Sequence, residues 1–167
     1  HAAGLVALLL SGAAQEGRTV LAPQVRQALM ITARPLAAAT YLDDGTGQPE
    51  IGAAWRWLVQ GRGVPEIAVR AVRSAGSGIF RHARLGAALD SAARFVVTLP
   101  AGAKPLSVTL RSTAPWLVGP QALTIGAGDN PVELAVRSSL LAEPGVYTGL
   151  VTGWTADTAL GPVFRLV

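Results

Sequence analysis

The chain has 167 residues, half of them hydrophobic, a formal net charge of +4 and no cysteine. That length suggests one domain or one and a half, and so large an apolar fraction supplies a core and argues against disorder. Without cysteine, disulfides, thiolate catalysis and cysteine metal sites are excluded, while the compartment, cytoplasmic or secreted, stays open.

Thirteen of the fourteen basic residues are arginine, and they are scattered singly. The densest stretch is Arg70, Arg73, Arg81, Arg84 and Arg94, with only Phe80 between them to stack on a base, so nucleic acid is not an expected partner. His1 and His82 lie far apart with no carboxylate at ligand spacing, so neither a metal site nor a cofactor is expected. Glycine and proline are plentiful but dispersed, which fits many turns rather than a low-complexity tract.

In chain order, the opening "HAAGLVALLLSGAAQEG" comes first. It has three readings. A membrane span needs about 20 apolar residues, and this run ends at Leu10 or at most Ala14, so no membrane span is expected. A signal peptide needs a basic region and a methionine ahead of the apolar run, and neither is present, although "LLLSGAAQ" superficially resembles a cleavage site. A helix that is apolar all round and buried fits best: alanine and leucine are strong helix formers, and Gly12 and Gly17 offer a stop. Leu5, Val6, Leu8, Leu9 and Leu10 would each gain roughly 1.5–3 kcal/mol from full burial, which takes cover on two sides.

Pro23 marks the start of the next helix, "PQVRQALMITA", with Val25, Ala28, Leu29 and Thr32 on one face and Arg34-Pro35 as its end. "YLDDGTGQPEIG" is a turn-rich loop, and "AAWRWLVQG" reads as a short helix stopping at Gly61. After a linker at 62–66 the character changes to short runs of valine, leucine and threonine. Strands are expected in "EIAVRAVR" (66–73), "GIFRHARL" (78–85), "ARFVVTLP" (93–100), "LSVTLRS" (106–112), "QALTI" (121–125), "VELAVRS" (132–138), "VYTGLVTGW" (146–154) and "PVFRLV" (162–167). Leu106, Val108 and Leu110, and again Val132, Leu134 and Val136, alternate with period two, as half-buried antiparallel strands do. About eight strands at roughly ten-residue spacing suggest a β-sandwich. The chain therefore divides into a helical part to residue 61 and a sandwich from 67 to 167, and sixty residues of such apolar helix make a poor domain alone.

Here a resemblance enters. His1-Ala2-Ala3-Gly4 followed by the apolar run Leu5–Leu10 resembles the helix after the catalytic serine in subtilisin-like serine peptidases, whose pattern is Gly-Thr-Ser-Met-Ala-(Ala/Ser)-Pro-His-(Val/Ala)-(Ala/Ser)-Gly. "VRQALMITARPL" (25–36) resembles the family's next helix, and "GAAWRWLVQ" (52–60) the last helix of its catalytic domain, although "GQPEIG" keeps the preceding glycine pattern only loosely. The second part resembles the immunoglobulin-like domain of tripeptidyl-peptidase II-type subtilases. Trp116, Pro120, Leu123, Gly145, Tyr147, Gly153, Gly161, Pro162, Phe164 and Arg165 match its pattern, and Gly78-Ile79-Phe80 sits where that domain begins. The departures are the lack of a cysteine after Trp116, "TADTAL" ahead of Gly161-Pro162, and a last strand that stops at Val167.

The resemblance implies a two-part α + β fold: the terminal helices of a subtilisin-type α/β domain, then an antiparallel immunoglobulin-like β-sandwich. It implies a piece of a serine peptidase that cuts peptide or protein substrates, with the Ser/His/Asp triad ahead of this chain and both ends cut. The missing N-terminal part of the catalytic domain would be its partner, and a homo-oligomer its assembly. No catalytic residue is expected here, because Asp43, Asp44 and His82 lack the context of a nucleophile site. Trp116, Trp154 and Tyr147 are expected in the core or at an interface. The rival expectation is a non-enzymatic sandwich that binds a protein or glycan, with an N-terminal anchor or signal remnant.

Overall fold

A computed structural model describes residues 1–36, 45–60, 65–72, 78–79 and 92–167. Its elements are α1 (Ala2–Gln15), α2 (Ala22–Thr32), α3 (Ile51–Gln60) and strands β1 (Ala68–Ala71), β2 (Ala92–Leu99), β3 (Leu106–Ser112), β4 (Leu117–Val118), β5 (Ala122–Ile125), β6 (Gly128–Val136), β7 (Val151–Trp154) and β8 (Phe164–Leu166). They fall into two compact units: His1–Glu66 with Ala159–Gly161, and Ile67–Thr158 with Pro162–Val167.

In the helical unit, α1 forms because alanine and leucine dominate it and no β-branched run interrupts. Gly17, not Gly12, stops it. Gly17 takes a φ of 64°, its N–H donates to the Ala14 carbonyl (3.0 Å), and the Arg18 N–H reaches back to Ala13 (2.8 Å), which closes the last turn as a Schellman cap. Gly12 has a different use inside the helix: the six-membered ring of Trp55 lies 3.2–3.7 Å from where a Cβ would stand. At the start of α2, the Gln24 Oε1 accepts the Leu21 N–H at 2.9 Å, and Pro23 occupies the first turn, where a missing N–H costs nothing. Arg34 and Gln48 exchange two backbone hydrogen bonds of 2.9 and 2.8 Å, tying the end of α2 to the approach of α3. Gly47, with a φ of 99°, allows this, since a Cβ there would run into the Arg34 carbonyl.

Leu9 of α1, Val25, Ala28 and Ile31 of α2, and Ala54 and Trp57 of α3 form one buried cluster. Val25 and Ala28 were legible as a helix face; Ile31 and Gln27 are buried as well. The cover over α1 is one-sided. Leu9 and Ala13 are buried, Leu5 and Val6 half-buried, and Leu8 (63% exposed) and Leu10 (42%) face solvent. Full burial of the Leu5–Leu10 run is thus not met within this chain, because α2 and α3 can pack against only one side of a cylinder.

The second unit holds two four-stranded antiparallel sheets, ordered β1-β2-β6-β4 and β5-β3-β7-β8. Their alternation follows the sequence: Ala93, Phe95, Val97 and Leu99 of β2 are buried, as are Val132 and Leu134 of β6, Val108 of β3 and Phe164 and Leu166 of β8. Leu134 of one sheet and Leu110 of the other both close on Gly119, where a Cβ would meet them at 2.7 and 3.1 Å. On the outer face of the first sheet the register sets Arg94 opposite Glu133, an ion pair of 2.7 Å, and Thr98 opposite Asp129, a hydrogen bond of 2.6 Å.

Two features of this unit differ from expectation. β7 covers only Val151–Trp154, because Pro144-Gly145 precede a Tyr147 whose hydroxyl donates back to the Glu143 carbonyl at 2.9 Å; the segment folds on itself, leaving Val146 and Tyr147 exposed rather than in the core. β4, two residues between Pro115 and Pro120, is an additional strand too short for a periodicity to show. The expected strand at 78–85 lies outside the described residues except for Gly78 and Ile79, where the Ile79 N–H donates to the Val167 carbonyl at 2.8 Å. Most of the linker, 62–64, also lies outside them.

Candidate functional site

The region with the clearest chemical orientation is the first turn of α1. His1 precedes the helix and its carbonyl accepts the Leu5 N–H at 3.1 Å, so the N–H groups of the turn between point away from the helix with no partner inside it. No side chain caps this end, and the first turn contains no acidic residue. No carboxylate of the first turn offsets the positive end of the helix dipole, a setting that favours negative charge placed just ahead of it.

What fixes this turn in space is the inner face of α1. Leu9 is 2% exposed and Ala13 equally so, and Val6 packs at the margin of the cluster made with α2 and α3. Burying Leu9 alone is worth roughly 1.5–3 kcal/mol. The Trp55 ring, in van der Waals reach of the α1 backbone at Gly12, adds a flat support that any side chain at that position would push away. The outer face of the same helix carries Ala3, Gly4, Ala7, Leu8 and Leu10, all exposed, with Ser11 and Gln15 as its polar groups.

Asp43, Asp44 and His82, the residues weighed as triad members, lie outside the described residues, as does Phe80 with Arg81 and Arg84. Among the described residues no group of three histidine, aspartate or glutamate side chains could hold a metal ion, and no helix is long and apolar enough to cross a membrane. Trp116 and Trp154 are both half-buried. The Trp116 ring and the Ala114 methyl both stand about 3.1 Å from where a Gly149 Cβ would be, and the Trp116 carbonyl accepts the Arg137 N–H at 2.8 Å. Trp154 donates its indole N–H to Thr152 Oγ1 (2.8 Å) and carries the Arg111 guanidinium 4.5 Å above its ring centre. The Arg111–Trp154 stack was not foreseen. It depends on the pairing of β3 with β7, which brings together residues 43 positions apart and leaves no trace in local periodicity.

No family model matches the chain. Tripeptidyl-peptidase 2 of Caenorhabditis elegans is 37% identical over 68 residues, which is 41% of this chain and 5% of that protein. A crystal structure of tripeptidyl peptidase 2 (TPP II) superposes with a TM-score of 0.76 at 22% identity, over 99% of this chain and 15% of that one. The chain thus spans a small share of either relative. In fold over nearly its whole length, and in sequence over a shorter span, it resembles a segment of tripeptidyl-peptidase II, in keeping with its opening helix and closing strands.

Proposed function

We propose that this chain is a piece of a subtilisin-like serine peptidase of the tripeptidyl-peptidase II type. Residues 1–61 are the closing helices of its catalytic domain, 62–66 a linker, and 67–167 an immunoglobulin-like sandwich that follows. The nucleophilic serine and the rest of the Ser/His/Asp triad belong to sequence ahead of His1, and the whole protein hydrolyses peptide bonds of peptide or protein substrates. The missing part of the catalytic domain is the structural partner of α1, and the whole protein assembles as a homo-oligomer.

The observation that carries this reading is the first helix. It is anchored along one side by Leu9 and Ala13, apolar along the other, and has neither a side-chain cap nor an acidic residue in its first turn. A serine placed just ahead of such a helix sits where unpaired N–H groups and the dipole favour the oxyanion of acyl transfer. The buried leucine keeps that turn from shifting, and a displacement of ~1 Å at a nucleophile can cost on the order of 10²-fold in rate. The fold similarity to a segment of tripeptidyl peptidase 2 supports the same assignment.

A serine-directed fluorophosphonate tests it. The longer protein that contains this chain is expected to be labelled at one serine upstream of His1, and the isolated chain to remain unlabelled. Stoichiometric labelling of the isolated chain, or a longer protein with no reactive serine, overturns the assignment. Release of tripeptides from an unblocked substrate, rather than internal cuts, then separates a tripeptidyl-peptidase from an endopeptidase.

A further inference from the structure

We infer that the outer face of the β5-β3-β7-β8 sheet is a docking surface for an acidic polypeptide segment, with Arg111, held flat on Trp154, as the group that grips a carboxylate. None of these four strands contains an aspartate or glutamate. Alternation places Arg111 and Thr109 of β3, Thr124 of β5 and Thr152 and Trp154 of β7 on the face away from the buried residues. The first sheet balances its exposed charge, with Arg94 held by Glu133. Arg111 has no carboxylate partner among the described residues and is exposed.

Its position is nonetheless fixed. The guanidinium lies 4.5 Å over the Trp154 ring centre, and that ring is locked in turn by its N–H bond to Thr152 Oγ1 at 2.8 Å. Thr152 Oγ1 itself donates to the Arg111 carbonyl at 3.3 Å, so the three residues close on one another across the β3–β7 pair. A stacked guanidinium presents its edge, and with it a fork of N–H donors whose spacing matches a carboxylate. Because the stack restricts the side chain beforehand, little freedom is lost when a carboxylate binds. The Thr109 hydroxyl, opposite Trp154, stands beside this fork, and Thr124, opposite Ser107, lies further along the same face, where both can pair with the main chain of an extended segment. A nucleic acid would need a row of cations at phosphate spacing. This face instead offers two arginines amid hydroxyls, Arg111 and the half-buried Arg165 of β8 opposite Thr152, too few to follow a phosphate backbone and suited to carboxylate side chains on a polypeptide.

The test titrates the 167-residue chain with a blocked hexapeptide of alternating glutamate and serine, at near-physiological salt. It follows the Trp154 indole N–H resonance and the heat of binding. Its glutamine counterpart and a short oligonucleotide serve as comparison probes. The glutamate peptide is expected to shift the Trp154 resonance, and Arg111→Met, which still covers the ring but cannot form the fork, to weaken binding about tenfold. Arg111→Lys, which keeps the charge without the fork, is expected to weaken it too, while Arg70→Gln on the other sheet leaves it unchanged. The inference is overturned if the glutamine peptide binds as well, if Arg111→Met binds normally, if Arg70→Gln loses as much, or if the oligonucleotide binds this face more tightly than the peptide.

Discussion

The Phe164 ring lies directly on the backbone of Gly153, its cross-strand partner in the β7–β8 pair. A Cβ added at Gly153 would stand 2.9 Å from Cε2 and closer still to Cε1 and Cζ. Both residues are buried, and the ring is among the largest wholly buried groups in the unit. Gly153→Ala therefore forces a rigid ring, not a flexible tip, to move, and overpacking of this kind costs about 1–3 kcal/mol. Urea denaturation is expected to show that loss, and Phe164→Leu added to Gly153→Ala to recover part of it. An alanine variant as stable as the parent would mean the ring has room elsewhere.

Asn130 is the polar counterpart in the same unit. The two hydrogens of its Nδ2 are shared among the carbonyls of Gly126 (2.8 Å), Gly128 (2.8 Å) and Val97 (3.2 Å), and its Oδ1 accepts the Gly126 N–H at 2.9 Å. The side chain thus ties the turn before β6 to β2. Asn130→Ala leaves these part-buried groups unpaired, at a cost of about 1–3 kcal/mol. Asn130→Asp is expected to be worse, because it faces a carboxylate towards three carbonyl oxygens. Faster hydrogen exchange at the Gly126 amide, together with a lower denaturation midpoint, checks the assignment.

The contrast between these two sites shows what local sequence carries. "LSVTLRS" announces β3 at its observed bounds, and "PQVRQALMITA" announces α2 to within a residue or two, because period and proline act over neighbouring positions. The resemblance pointed to Gly153 and Phe164 as pattern positions, yet the reason for the glycine appears only when β7 and β8 are paired. Nothing in the local sequence marks Asn130, since its partners at Gly126 and Val97 are set by chain reversal and register. The exposure of Tyr147 was hidden for a similar reason: a hydroxyl bond to Glu143 overrides the β propensity of "VYT". At α1 the sequence shows how apolar the helix is, but which side is covered depends on how α2 and α3 approach.

Gln27 of α2 is 9% exposed, and neither polar atom of its side-chain amide has a hydrogen-bond partner among the described residues. An unpaired buried amide opposes folding, and an apolar side chain of the same shape removes that penalty. Gln27→Met is therefore expected to raise the stability of the chain by about 1 kcal/mol. A fall in its thermal midpoint would show instead that the amide is paired in solution.

The two faces of α1 give the prediction that bears most directly on function. Leu9, at the centre of the helical cluster, loses its contacts with α2 and α3 on Leu9→Ala, and a change of this kind costs about 2–5 kcal/mol. Leu8 and Leu10 are exposed and make no comparable contacts among the described residues, so Leu8→Gln and Leu10→Gln are expected to alter its stability by no more than about 0.5 kcal/mol. The longer protein should reverse this tolerance if the proposed function holds. There the outer face of α1 is covered by the rest of the catalytic domain, and a glutamine at position 8 or 10 places an amide in an apolar setting, at about 1–3 kcal/mol. The signature is a substitution silent in the isolated chain but costly to stability and peptide hydrolysis in the whole protein. If Leu8→Gln and Leu10→Gln are silent in both, the outer face stays in water and the helix does not stand behind a nucleophile.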